Sequence, residues 1–208
     1  MKYLNLLILF FVILLTSCNG GEPPLPYAYN TNPRYTWGYT QYFAKEYTTF
    51  GINNNILSVS LFSDSLSIDS LTKGLVGTGQ FLFLEDIFVS PFQTTLTAGT
   101  YTINSSGLPY TVSPGKNDTV GTEIFPIGAT ISYYEENSSK SKLKFITEGT
   151  FRVTKSLISN TITIIFDLKT DDKKTLKGSY AGKLEYYDES LTLQRMSAQL
   201  RTRGFTRL

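Results

Sequence analysis

Histidine is absent from the 208 residues, and cysteine occurs once, at Cys18. Without imidazole there is no Ser-His-Asp or Cys-His nucleophile, no His-ligated zinc hydrolase and no histidine acid-base chemistry. A single thiol also excludes an intramolecular disulfide framework. Charge is scarce: only 17% of residues are charged and the formal net charge is +2. So even a balance gives no electrostatic case for nucleic acid. Apolar runs are short as well, since Leu6–Leu15 falls below the ~20 residues that span a bilayer and no later stretch is longer.

What the N-terminus does contain is an export signal. Lys2 precedes the apolar run, and Leu15-Thr16-Ser17-Cys18 places small residues before the cysteine. This quartet resembles the lipobox of bacterial lipoproteins. The resemblance implies cleavage before Cys18, acylation of its thiol and freed amine, and a lipid-anchored protein. Residues 1–17 are then the lipoprotein signal peptide and Cys18 the lipid attachment site. Asn19 stands where an Asp marks retention at the inner membrane in many lipoproteins, which favours the outer membrane. Residues 18–33 carry Pro23, Pro24, Pro26 and Pro33 without apolar period and read as a lipidated tether. Surface export in lipoproteins of the Bacteroides group follows an acidic run after the cysteine. Here only Glu22 is present, so the periplasmic and surface faces both stay open.

Residues 34–190 read as a single all-β domain. From Tyr35 to Tyr47 the odd positions are mostly aromatic (Tyr35, Trp37, Tyr39, Phe43, Tyr47) and the even ones mostly small or polar, which is the period of a strand. Leu57, Val59 and Leu61 alternate with serines, and Phe81 to Val89 is apolar on both faces, as in a covered strand. Three longer rows follow. Leu143, Phe145, Thr147, Phe151 and Val153 form one inward face; Ile158, Ile162, Ile164, Phe166 and Leu168 the next; Leu176, Tyr180, Leu184 and Tyr186 the third. Short polar turns between them predict an antiparallel meander. The length of the strands favours an up-and-down barrel, with a β-sandwich as the alternative. Gly99-Thr100-Tyr101, Gly149-Thr150-Phe151 and Gly178-Ser179-Tyr180 place glycines where a sheet bends or a ring lies over the backbone. Such strands resemble those of small calycin-like lipoproteins of the Bacteroides group, which implies a calycin-like β-barrel. Residues 191–208 carry Arg195, Arg201, Arg203 and Arg207 with no acid, and read as a short helix or edge strand.

Catalytic patterns are weak. Ser70-Leu71-Thr72-Lys73 and Ser139-Lys140-Ser141-Lys142 have Ser-x-x-Lys spacing, but no Lys-Thr-Gly follows and neither opens a helix. The doublets Glu85-Asp86, Glu135-Glu136, Asp171-Asp172 and Asp188-Glu189 suggest no glycosidase pair, because neighbours on a strand point to opposite faces. No metal or cofactor motif is visible. Elimination leaves the aromatic row, and Tyr35, Trp37 and Tyr39 are the candidate ligand-binding residues, with Tyr27 and Tyr29 freer in the tether. The reading is a non-enzymatic outer-membrane lipoprotein, anchored through lipid on Cys18, whose barrel binds a small apolar or glycan ligand. The alternative is a structural or adhesive envelope module that binds protein or polymer; a carboxylate hydrolase ranks last.

Overall fold

The computed structural model describes residues 29–63, 65–72, 74–120, 122–135, 142–156 and 158–193. The lipobox with Cys18, Tyr27 and residues 194–208 lie outside the described residues. The chain runs through β1 (Arg34–Tyr35), β2 (Trp37–Ala44), a 3₁₀ segment (Glu46–Phe50), β3 (Asn55–Phe62), β4 (Leu66–Ile68), β5 (Leu75–Gly77) and β6 (Gly79–Val89). Then come β7 (Gly99–Ile103), β8 (Thr111–Val112), β9 (Lys116–Val120), β10 (Glu123–Ile127) and β11 (Thr130–Tyr134). The three longest rows become β12 (Lys142–Lys155), β13 (Ile162–Thr170) and β14 (Thr175–Gly182), followed by β15 (Glu185–Asp188) and a turn of helix, α1 (Ser190–Leu193).

The fold is an all-β barrel. β6 reaches β12 by two routes, through β11 at one end and through β8 and β7 at the other, so β6, β11, β12, β7 and β8 form a closed ring. β13 and β14 continue outward from β12 as the antiparallel meander that the alternation predicts, and β3 and β2 continue from β6. The two wings meet at the N-terminus: β1 pairs parallel with β14, and one residue later β2 pairs antiparallel with β3. Closure leaves the five ring strands without a free edge, and the sheet ends instead at β1 and β15. Parallel pairs β1–β14, β7–β8 and β15–β2 are additions to the expected meander, because pairing partners distant in sequence leave no local pattern.

Aromatic rings fill the interior. Tyr101 and Phe151 sit opposite each other across β7 and β12, and their rings stack at 4.8 Å and 2°. Tyr35, Phe166 and Tyr180 are buried beside them with Leu57, Leu82, Leu84, Ile146 and Leu176. Gly178 is glycine because the Phe166 ring lies over it: a Cβ there would come within 2.5 Å of that ring and of the Pro33 carbonyl oxygen. A smaller apolar cluster of Tyr39, Phe62, Leu66 and Phe81, joined by Trp37, lies apart from the main core.

Three inward rows differ from the alternation. In β12 the pairing slips between Ile146 and Glu148, and Gly149 adopts φ 114, so Ile146 is fully buried and the row restarts at Phe151. A bulge inserts one residue and exchanges the faces beyond it. Ile158 is 100% exposed because it lies in the turn before β13. Tyr186 is exposed because the chain leaves β14 at Gly182 and β15 joins β2 on the far wing.

The expected tether also ends earlier than Pro33. Tyr29 is buried in the main core, and its hydroxyl bonds Thr170 Oγ1 at 2.8 Å and donates to Asp172 Oδ1 at 3.0 Å. It is thus a core residue and is not available to a partner.

Candidate functional site

The aromatic row does not form one ligand-facing surface. Tyr35, on β1, is 1% exposed in the main core, and burial drives its phenol pKa upward. Trp37 and Tyr39, on β2, belong to the smaller cluster. The Trp37 indole is half-buried, stacks on Phe62 at 4.0 Å and 8°, and donates Nε1–H to the Leu66 carbonyl oxygen at 2.6 Å. Tyr39 is 5% exposed, and its ring meets Phe62 and the edge of Tyr187. Period two placed all three on one strand face; the switch of pairing partner between β1 and β2 divides them between two cores.

Further along β2 an open groove begins. Tyr42 pairs with Leu57 and Ala44 with Ile56, which leaves Phe43 without an opposite residue. This bulge breaks the alternation, so Tyr42 and Phe43 both line the groove, and Ala44 is held at φ 57. The left-handed region is uncommon for alanine and costs of order 1 kcal/mol. Strand β3 starts opposite: the Asn55 amide donates to the carbonyl oxygens of Pro91 (3.3 Å) and Gln93 (2.8 Å). With the Gln93 N–H donating to the Ser90 carbonyl at 2.9 Å, these bonds fix the turn that carries Phe92. Phe92 is 94% exposed.

Ser190 closes the groove wall. Its N–H and hydroxyl both donate to Asp188 Oδ1, at 3.0 and 2.6 Å, which holds the Asp188 carboxyl below its ordinary range. Burial, then the nearby Asp188 charge, raises the Tyr42 phenol. The groove encloses about 460 Å³ and opens to solvent, with Lys45, Glu46 and Thr94 beside the aromatic rings. A second open groove of about 470 Å³ crosses the outer face of β12, β13 and β14 around Arg152, Ile165 and Lys177.

Sequence reasoning missed a carboxylate pair. Leu57 pairs with Ile87 and Val59 with Leu84, so Ser58 alone faces both Glu85 and Asp86. Asp86 takes φ 55, a conformation Asp tolerates better than most residues. The bulge thereby breaks the alternation of a regular strand at these acids, leaving Asp86 buried and Glu85 half-buried. Glu85 Oε2 accepts the Gly128 N–H at 2.8 Å, and Asp86 Oδ2 accepts the Tyr47 hydroxyl at 2.7 Å. Burial raises both carboxyl pKa values and the Asp86 charge raises Glu85 further, against the lowering effect of the Gly128, Tyr47 and Ser113 hydrogen bonds. The signal was present in the sequence: an acid doublet inside the apolar run Phe81–Val89 is a buried-charge anomaly.

Among the described residues no group of three or more Asp, Glu, Cys or His side chains converges as a metal site. No family model, curated protein or solved structure matches this chain.

Proposed function

We propose that this protein is a lipid-anchored binding module of the cell envelope, held at the outer membrane through Cys18, and that the groove beside Phe92 takes a glycan. The exposure of Phe92 on a turn pinned by Asn55 carries this reading, because a large apolar ring kept in water beside Tyr42 and Phe43 suits stacking against a sugar face. Lys45, Glu46 and Thr94 supply charged and hydroxyl groups for sugar hydroxyls around it. A ligand inside the barrel has less support, since Tyr101, Phe151, Tyr35 and Tyr180 occupy that space. Glu85 and Asp86 bond to the barrel's own groups, which fits a structural pair better than a hydrolase site. An adhesive role draws some support from Ile165, exposed on the outer face of β13 between Arg152 and Ser179.

Titration of the purified chain with envelope oligosaccharides tests the reading. Phe92→Ala is expected to weaken binding at least ~tenfold with an unchanged melting temperature. Absence of saturable binding to any envelope glycan would refute it. Loss of membrane fractionation and fatty-acid labelling in Cys18→Ala tests the anchor separately.

A further inference from the structure

We propose that residues 194–208 of this chain dock in the groove beside Phe92 and compete there with its ligand. This rests on the groove being the binding site, and it adds the regulation of that site.

Three observations converge on this segment as the occupant. The first is where it starts. Ser190 is part of the groove wall, and α1, which packs against β2, ends three residues later at Leu193, so the described chain stops within one helical turn of that wall. Fifteen residues extend to roughly 50 Å, far more than is needed to cross a groove whose wall the chain has just left.

Charge is the second. The segment carries Arg195, Arg201, Arg203 and Arg207 and no acid. The strand and turn leading to the groove wall carry Glu185, Asp188 and Glu189, and none of these three pairs with a basic side chain among the described residues. The third is apolar content. Met196, Leu200 and Phe205 are spaced along the segment and suit the rings that the groove leaves open, above all Phe92. A basic segment with apolar residues at intervals therefore matches an aromatic groove bordered by carboxylates. Because the connection is covalent, even weak docking is effective: the local concentration of a segment joined this close to its site is on the order of millimolar.

The experiment compares the full chain in detergent with a chain ending at Leu193, which keeps every described strand. Matching far-ultraviolet circular dichroism and melting temperatures establish that the truncated chain is folded. Hydrogen exchange of residues 42–46 and 91–94 is then expected to be several-fold faster in the truncated chain. A synthetic peptide of residues 194–208 is expected to restore protection and to bind the truncated chain at least ~tenfold tighter than the full chain. Peptide binding should weaken several-fold between 50 and 500 mM salt, where the Debye length falls to a few ångströms, and weaken again in Glu189→Lys. Equal exchange in the two chains, or equal affinity of both for the peptide, overturns the proposal. Protection that depends on protein concentration points instead to a second copy in the groove and overturns it too. Oligosaccharide titrations separate the two readings. Docking with no glycan binding by either chain refutes the glycan site alone, whereas equal glycan affinity in both chains refutes the competition.

Discussion

The hydroxyl of Tyr47 donates to Asp86 Oδ2 at 2.7 Å and ties the 3₁₀ segment Glu46–Phe50 to the bulge of β6. The Tyr47 ring also meets Phe88 at 5.9 Å, so packing and hydrogen bonding act on the same side chain. Tyr47→Phe keeps the ring and removes the donor. Leaving a buried carboxyl oxygen unsatisfied costs about 1–3 kcal/mol. The expected outcome is that loss in urea unfolding, with faster hydrogen exchange across residues 45–50.

A pH dependence follows from Glu85 and Asp86. Both carboxyl pKa values are raised in the folded state, chiefly by burial, so the folded protein binds more protons than the unfolded chain. Their contribution to stability is therefore fully present below the ordinary carboxylate range near 4 and is lost as pH rises through the raised values. Glu85→Gln retains an acceptor for the Gly128 N–H without the charge. It is expected to stabilise the protein by on the order of 1–2 kcal/mol at pH 8 and to change little at pH 4. Denaturation at several pH values checks this; equal effects at both ends contradict it.

Ala44 offers a backbone test. Its φ of 57 suits glycine, and Ala44→Gly relieves that strain at the cost of a more flexible unfolded chain. Where φ is positive the relief prevails, with an expected gain of about 0.5–1 kcal/mol in chemical denaturation. If the bulge positions Phe43, glycan affinity in the same variant should stay within about twofold of the original.

Trp37 reports on the smaller cluster. Truncation to Ala removes the stack on Phe62 and the bond to Leu66, and about 2–4 kcal/mol of stability should go with them. As the only tryptophan, Trp37 supplies the intrinsic indole emission. That emission should be insensitive to glycans that bind at Phe92. A ligand-dependent shift would return Trp37 to the binding surface.

Strand content, the β12–β13–β14 meander and the covered nature of β6 are legible in the sequence because period-two burial writes itself into residue order. The candidate groove is not. Its Tyr42 and Phe43 share a surface only because one residue is inserted between Tyr42 and Ala44, and parity carries no record of an insertion. The same holds for Glu85 and Asp86, and for the slip at Ile146 and Glu148 that moves burial from Phe145 to Ile146. Closure is non-local: the change of partner between Tyr35 and Trp37 depends on β14 and β3, which lie far apart in the chain.

The entry of the chain into the barrel has a mechanical consequence. Lys177 N–H donates to the Thr31 carbonyl and Ser179 N–H to that of Pro33, beside the parallel pairing of Arg34 with Ser179 and Tyr35 with Tyr180. A pull on the residues before Tyr29, directed along β1, loads these bonds together in shear. Tyr29, hydrogen-bonded to Thr170 and Asp172, is the first side chain to resist it. Forced unfolding is governed by the unfolding rate, so a barrel hung from its N-terminus resists being drawn apart for longer than one peeled strand by strand from an edge such as β15.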